Sequence, residues 1–394
     1  MGTNESLRIP ETFSERLRFI IAVICSVGGQ TAQNIAVPML LSNGSLDVGV
    51  MLCYSAFCYF AFFTIFDVIL SFIISRRNQI AINIDTKFVA WIGFENAMNG
   101  CGVLFGGSPS RTPLPLQMTF FLVCNQFAPL YKIVRRFGCD LRSWRETILG
   151  LGKKGWIAFG VSTLFYTVAM LLVLSDNLAH RASHPLTAYC LCFIGGTAFA
   201  TMYNVDQDIA MENCSTVLID AQPPKRAEPE ELSFLLYLKR DVMTLRLQTT
   251  WLFLFSWLGV LFSLAGGSED PLTQASFERS WALVLPFGNT WMNVLNGAYI
   301  ITFFGNIYIN RYDASFTMII SNIAAVSSMW TGWIPSMEMR TVLFYPNIAK
   351  TVIAMVLSLT AVIPSWIFSK TFKNALDGVE GDKEHRFWIN GPDP

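Results

Sequence analysis

Ten stretches of this chain are apolar enough and long enough to cross a bilayer. They lie at 17–42, 47–74, 87–107, 114–134, 154–175, 185–211, 244–266, 280–306, 313–335 and 347–369. The hydrocarbon core takes about 20 apolar residues of helix. Backbone in lipid must satisfy its own hydrogen bonds, so each run is expected to be a helix, and the alternation of a barrel strand is absent. The third run ends in Gly106–Gly107 and the eighth holds Pro286, which makes these two the weakest. Composition agrees. Charged residues are 14% of the chain and hydrophobic residues 53%, against about 25% charged in soluble proteins. That is too little charge to clothe a water-facing surface, which excludes a soluble enzyme, a nucleic-acid binder and a disordered scaffold. Net charge is zero, so no bulk attraction to nucleic acid is implied. The expected fold is an all-α membrane protein with ten transmembrane helices.

The basic residues orient it. With alternating spans and both ends in the cytoplasm, only Arg111, Arg181, Arg279, Arg340 and Lys350 of the 28 Lys and Arg fall on the far side. Such asymmetry is what the positive-inside rule produces. Residues 1–16 form a polar cytoplasmic tail with no apolar core of a secretory signal, and 370–394 a second cytoplasmic tail.

Spans in 17–175 and 176–369 divide five and five, with a Pro-, Glu- and Lys-rich cytoplasmic linker at 220–232 (DAQPPKRAEPEEL). Because five is odd, two such halves insert with opposite orientation. An inverted 5+5 repeat, with a site near the midplane between halves, is the expected arrangement.

The nine cysteines lie in or beside spans and none in an outside loop. No disulfide framework is expected, and they should behave as small apolar residues. Three His, none in mid-membrane, point to no metal centre and no cofactor.

Ionisable side chains inside spans are costly and tend to face a cavity or a partner. Glu95, followed by Asn96 and Asn99, lies well inside the third span. It is either a cavity carboxylate that takes a cation or a proton, or a protonated acid bonded to an Asn of a neighbouring helix. Asp67, in the inner half of the second span, is either a gate acid or an ion-pair partner of Arg76 or Arg77, and the second reading leads. Asp206 and Asp208 close the sixth span as a solvated helix end or a cytoplasmic gate. Gln30, Gln33 and Asn34 on the first span, and Asn289, Asn293 and Asn296 on the eighth, each share a helix face. They line a wet pathway or bond helices together, with the pathway reading preferred. Pro113, Pro115, Pro129 and the pairs Gly106–Gly107, Gly195–Gly196 and Gly266–Gly267 read as loop residues at helix ends. Asn43-Gly44-Ser45 is a glycosylation sequon in an outside loop.

The segment Gly106-Gly107-Ser108-Pro109-Ser110-Arg111-Thr112-Pro113-Leu114-Pro115-Leu116-Gln117 opens the fourth span. Asn125-Gln126-Phe127-Ala128-Pro129-Leu130 and the basic Lys132, Arg135 and Arg136 follow it. This region, with Glu95 before it, resembles the chloroquine-resistance-transporter-like family of the drug/metabolite transporter superfamily. The likeness extends more weakly through Gly195–Asp208 and Leu245–Phe262, with Gln248 and Trp251. The short, cysteine-free loop Gly267–Arg279 departs from the long cysteine-rich loop of parasite members. The resemblance implies a ten-helix secondary transporter of amino acids, small peptides, thiols or organic cations. It implies a vacuolar or lysosomal membrane, with a plastid envelope as the alternative. It places Gln117 in the substrate pathway and an acid at Glu95.

The resulting expectation is a non-enzymatic, proton-coupled carrier, with a small-molecule solute, protons and the bilayer as its partners. Glu95, Asp67 and Asp206 are its gate or coupling acids. A nucleotide-sugar or other metabolite transporter of the same superfamily is the nearest alternative, and a multi-span receptor or channel the more distant one.

Overall fold

The computed structural model describes residues 13–42, 47–75, 79–83, 85–108, 112–180, 186–213, 215–219, 229–264, 274–285, 288–310, 314–331 and 347–390. Apart from one small sheet, the elements are helical. In chain order they are α1 Phe13–Ser42, α2 Val48–Ser75, β1 Gln79–Asn83, α3 Thr86–Gly106, α4 Leu114–Gln126, α5 Ala128–Phe137, α6 Leu141–Gly150 and α7 Gly152–His180. Then follow α8 Leu186–Asn213, β2 Ser215–Ile219, α9 Pro229–Phe255, α10 Trp257–Phe262, α11 Gln274–Val284, α12 Thr290–Asn310, α13 Ala314–Thr331 and α14 Ile348–Asn390.

Within the described residues, every expected apolar run is a helix or a pair of helices. Asp85 starts α3 by accepting hydrogen bonds from the amides of Lys87 at 3.0 Å and Phe88 at 3.3 Å, an N-cap that serves otherwise unpaired donors. The fourth run breaks at Phe127 into α4 and α5. Pro129 stands in the first turn of α5, where its missing N–H costs nothing but could not continue α4. Gly195 and Gly196, expected in a loop, lie inside α8. The smallness of Gly196 serves packing: a Cβ on Gly102 of α3 would stand 2.6 Å from the Gly196 Cα. Small residues let helix backbones approach this closely.

Other boundaries differ from expectation. The seventh run begins at Pro229, not 244, so the last residues of the expected linker are helical. The expected C-terminal tail continues α14 to Asn390. Two short strands were not foreseen. β1 and β2 pair antiparallel from Gln79↔Ile219 to Asn83↔Ser215, joining the segments that follow α2 and α8. The sequon at Asn43, Arg76, Arg77, residues 220–228, the pair Gly266–Gly267 and Pro286 lie outside the described residues.

Among the described residues, five helical stretches are long and apolar enough to cross a membrane: Glu15–Leu41, Val48–Ile73, Gly152–Ser175, Leu238–Phe262 and Ile348–Val379. They carry exposed apolar stripes. On α7 these include Ile157, Leu164, Val168 and Leu171, and on α14 Ile353, Val356 and Ile363. Large apolar side chains at helical spacing on the outside are the pattern of lipid-facing helices. The chain is helical, and its long apolar helices are compatible with a membrane protein.

Its contacts divide it into two compact units. Unit 1 takes the described parts of Met1–Ile35, Pro109–Thr187 and Ile301–Pro394; unit 2 takes those of Ala36–Ser108 and Ala188–Ile300. Compaction thus follows a division other than the sequence halves 17–175 and 176–369: each unit draws on both.

In unit 1, α14 packs along α7 and also touches α4, α5, α6 and α13, while α4 packs on α7 and α13. Ile133, Leu151, Ala158, Phe368, Phe372 and Leu376 form one apolar core there. In unit 2, α9 packs against α2 and α3, and α10 continues that contact. The α2–α9 pair is antiparallel: Asp67 meets Lys239, Cys53 meets Ser256, and Gly49 lies against Val260. Leu40, Met51, Leu52, Tyr54, Cys101 and Met292 belong to its core.

Candidate functional site

Each unit holds a buried polar group of side chains, and the two differ in how completely their hydrogen bonds are made. In unit 1, Gln126 Nε2 donates to Ser162 Oγ at 2.7 Å, and Gln126 Oε1 accepts from Ser365 Oγ at 3.1 Å. Asn125 Nδ2 donates to Asn322 Oδ1 at 3.3 Å, and Asn322 Nδ2 reaches Ser365 Oγ at 3.4 Å and Tyr166 Oη at 3.5 Å. These bonds tie α4, α7, α13 and α14 together. A network closed on itself in this way is helix-to-helix adhesive.

Unit 2 has a polar column in three levels. The first is built on tyrosines. Tyr59 of α2 and Tyr299 of α12 stack with centroids 4.0 Å apart and planes 17° from parallel. The Tyr299 hydroxyl lies 3.5 Å from that of Tyr203 on α8 and shares a hydrogen bond with Asn96 of α3. Glu95, fully buried, is next to Asn96. Counting along the antiparallel α3 and α8 from the Gly102–Gly196 contact at equal rise puts Glu95 level with Tyr203. One turn from Tyr299, Asn296 is buried with its Oδ1 making no hydrogen bond.

The second level lies one turn further along α8, towards β2. There Gln207 Nε2 donates to Gln248 Oε1 on α9 at 2.9 Å. Gln248 is buried, and its Nε2 has no hydrogen-bond partner among the described residues. A buried polar group left unpaired costs about 1–3 kcal/mol. Two such amides beside a tyrosine cluster mark the place in the described chain best prepared to receive a polar molecule.

The third level is ionic. Asp67, about 12 Å beyond Tyr59 at the rise of an α-helix, is held by two cations of α9. Lys239 donates to its carbonyl at 3.0 Å, to its Oδ1 and to Ser71 Oγ, while Arg246 Nη1 donates to Oδ2 at 2.6 Å. The side chains of Asp67 and Lys239 are 3% and 10% exposed, whereas that of Arg246 is 32% exposed. Asp67 is therefore an ion-pair partner of two cations of α9; Arg76 and Arg77, the partners expected from the sequence, lie outside the described residues.

The remaining expected residues are distributed otherwise. Asp206 is fully buried, so it is not a solvated helix end. Asn99 and Asn293 are half-buried on α3 and α12. Asn289 precedes α12 and accepts from the Met292 amide at 3.1 Å, the geometry of a helix cap. Gln117 is buried and donates to the Thr112 carbonyl at 2.6 Å, a bond that secures the entry to α4. On α1, Gln33 donates to Thr302 at 2.9 Å and Asn34 to Ser328 at 3.0 Å; both are bonds between helices of unit 1. Gln30 is half-buried on the same helix. Of the residues singled out beforehand, Asp67, Glu95, Asn96, Asn296 and Gln248 belong to the column. Tyr59, Tyr203, Tyr299 and Lys239 were missed. Among the described residues no group of three or more His, Cys, Asp or Glu is placed to hold a metal ion.

No family model matches this chain, and no curated protein matches it.

Proposed function

We propose that the chain is a secondary active transporter that moves small organic solutes across an organelle membrane, with protons as the coupling ion. The unit 2 column carries this reading. Tyr59, Tyr203, Tyr299, Asn96 and Glu95, with the unpaired amide atoms of Gln248 and Asn296, form a polar lining in helices that otherwise bury apolar side chains. A polar lining within membrane helices belongs to a solute path. Tyrosine faces and hydroxyls together suit an amphiphilic solute such as an amino acid, a small peptide, a thiol or an organic cation.

Ten crossings in two inverted groups of five fit the packing. The second and seventh apolar runs pack together as α2 with α9 and α10, the fourth and ninth as α4 with α13, and the fifth and tenth as α7 with α14. Each pair joins equivalent members of two five-span groups, an arrangement that an inverted repeat accommodates. The β1–β2 pairing brings together the segments after the second and sixth runs, which fits an even number of crossings between them. α3 and α12 have 21 residues each, or about 31 Å of helix.

A buried carboxylate at the tyrosine level can load a proton from an acidic compartment, such as a vacuole or lysosome, and release it to the cytoplasm. Purified protein in proteoliposomes, offered labelled amino acids and small peptides with and without an imposed pH gradient, tests the function. Saturable uptake that the gradient accelerates is expected. Absence of uptake for the whole panel, or single-channel currents in its place, would overturn it.

A further inference from the structure

The ten apolar runs leave out α6, and this helix has an outward face that the transport reading does not use. Leu141, Arg145 and Leu149 recur every fourth residue and therefore share one side of α6. The two leucines are 75% and 66% exposed, and Arg145 is exposed between them. The opposite side is anchored. Ser143 and Thr147 are buried, Asp140 caps the helix through the amides of Arg142 and Ser143, and Trp144 donates to the Gly138 carbonyl at 3.1 Å. A left-handed Gly152, with φ of 59°, turns the chain directly into α7. The corner presses on α14: a Cβ on Gly150 would come within 3.1 Å of Ala375, and one on Gly155 within 3.2 Å of Thr371.

Two exposed lysines, Lys153 and Lys154, stand in the first turn of α7, where the membrane-length helix Gly152–Ser175 begins. Trp156 and Ile157, both exposed and apolar, follow at once. Lys370 on α14 is adjacent in sequence to Thr371, which lies against Gly155, and it sits 5.6 Å over the Trp366 ring. Arg142 is paired with Glu146 at 3.0 Å. Among the described residues, Arg145, Lys153 and Lys154 have no ion-pair partner. Exposed leucines flanking an arginine, on a rigid helix at the foot of a spanning helix, form an amphipathic surface that lies in the headgroup layer.

We propose that the α6–α7 corner is a binding site for anionic phospholipid headgroups, with Arg145, Lys153 and Lys154 receiving the phosphate and Leu141 and Leu149 entering the acyl boundary. The positive-inside rule accounts for lysines at this level, but not for two exposed leucines held on one face around an arginine. The site depends on the chain lying in a membrane and is independent of what it transports.

Full-length protein in nanodiscs of phosphatidylcholine with a minority of phosphatidylserine supplies the test, with the lipids that stay bound after extraction counted by native mass spectrometry. Phosphatidylserine should be enriched over its share of the bilayer, and rising salt should abolish the enrichment while the protein stays folded. The triple variant R145Q/K153Q/K154Q should bind phosphatidylserine on the order of 100-fold more weakly, from the typical contribution of three juxtamembrane cations, and carry it at its bilayer share. The charge-preserving R145K/K153R/K154R should keep it. Absence of enrichment in the unaltered protein, or enrichment that salt does not reduce, would overturn the site. So would a folded glutamine variant that binds phosphatidylserine as the unaltered protein does.

Discussion

Lys239 of α9 closes twice on Asp67 of α2, through the backbone carbonyl at 3.0 Å and through the carboxylate, and gives its third proton to Ser71. With Arg246 on the other carboxylate oxygen, one acid holds two cations of α9, and α2 and α9 are fastened to each other at this level. Removing one member of a buried ion pair strands its partner. Asp67→Asn should therefore lower stability by about 3 kcal/mol, the low end for such losses because Arg246 partly reaches solvent. Thermal unfolding in detergent reads this. The double variant D67L/K239M, which leaves no charge stranded at Lys239, should recover much of the loss, and full additivity would contradict the pairing.

At the crossing of α3 and α8, Gly102→Val should force the backbones apart. The added side chain has no room beside the Gly196 Cα, and overpacking typically costs about 1–3 kcal/mol. Gly196→Ala should show a similar effect, since its Cβ would stand 2.6 Å from Val103 N. The two losses should be non-additive because they act on one contact. A thermal shift assay on the single and double variants checks it.

Asn34→Ala tests the bland reading of the α1 stripe. Its bond to Ser328 joins α1 to α13, and interhelical bonds of this kind average about 0.6 kcal/mol in membranes. A small loss of stability with an unchanged Michaelis constant for uptake is expected. A raised constant at unchanged stability would return Asn34 to the pathway.

Tyr299→Phe keeps the stack on Tyr59 and removes the hydroxyl that meets Tyr203 and Asn96. Stability should fall by about 1 kcal/mol, while solute affinity falls several-fold in equilibrium binding. Tyr299→Ala also removes the ring and should cost about 3 kcal/mol. Equal solute affinity in the Phe variant and the unaltered protein would remove the tyrosine level from the site.

Much of this architecture was legible before any coordinates, because a bilayer makes length and apolarity decisive: the described part of each run from 17–42 to 347–369 is helical. Breaks were harder to read. Pro129 signals the one at Phe127 only when it is seen that α4 cannot continue through a residue without an N–H. The strands Gln79–Asn83 and Ser215–Ile219 are five residues each and distant in sequence, so neither half is convincing by itself. Lys239 belongs to a charged stretch that reads as the end of a linker, and only the course of α9 along α2 buries it. Glu95 and Asn96 stood out because a charge inside an apolar run has few explanations. Tyr59, Tyr203 and Tyr299 did not, since tyrosine is ordinary at membrane interfaces and nothing local brings three distant helices together. Asn289 and Gln117 had the right residue types for a pathway, but each serves the backbone at a helix entry.

The central claim is that the buried carboxylate of α3 couples protons to solute movement through the tyrosine level. The most direct measurement compares Glu95→Gln with the unaltered protein in vesicles with an acidic interior, following both gradient-driven flux and solute exchange at equal pH. The account predicts that the glutamine variant exchanges solute but no longer responds to the gradient. Gradient-driven flux at the unaltered rate in the folded variant would contradict it.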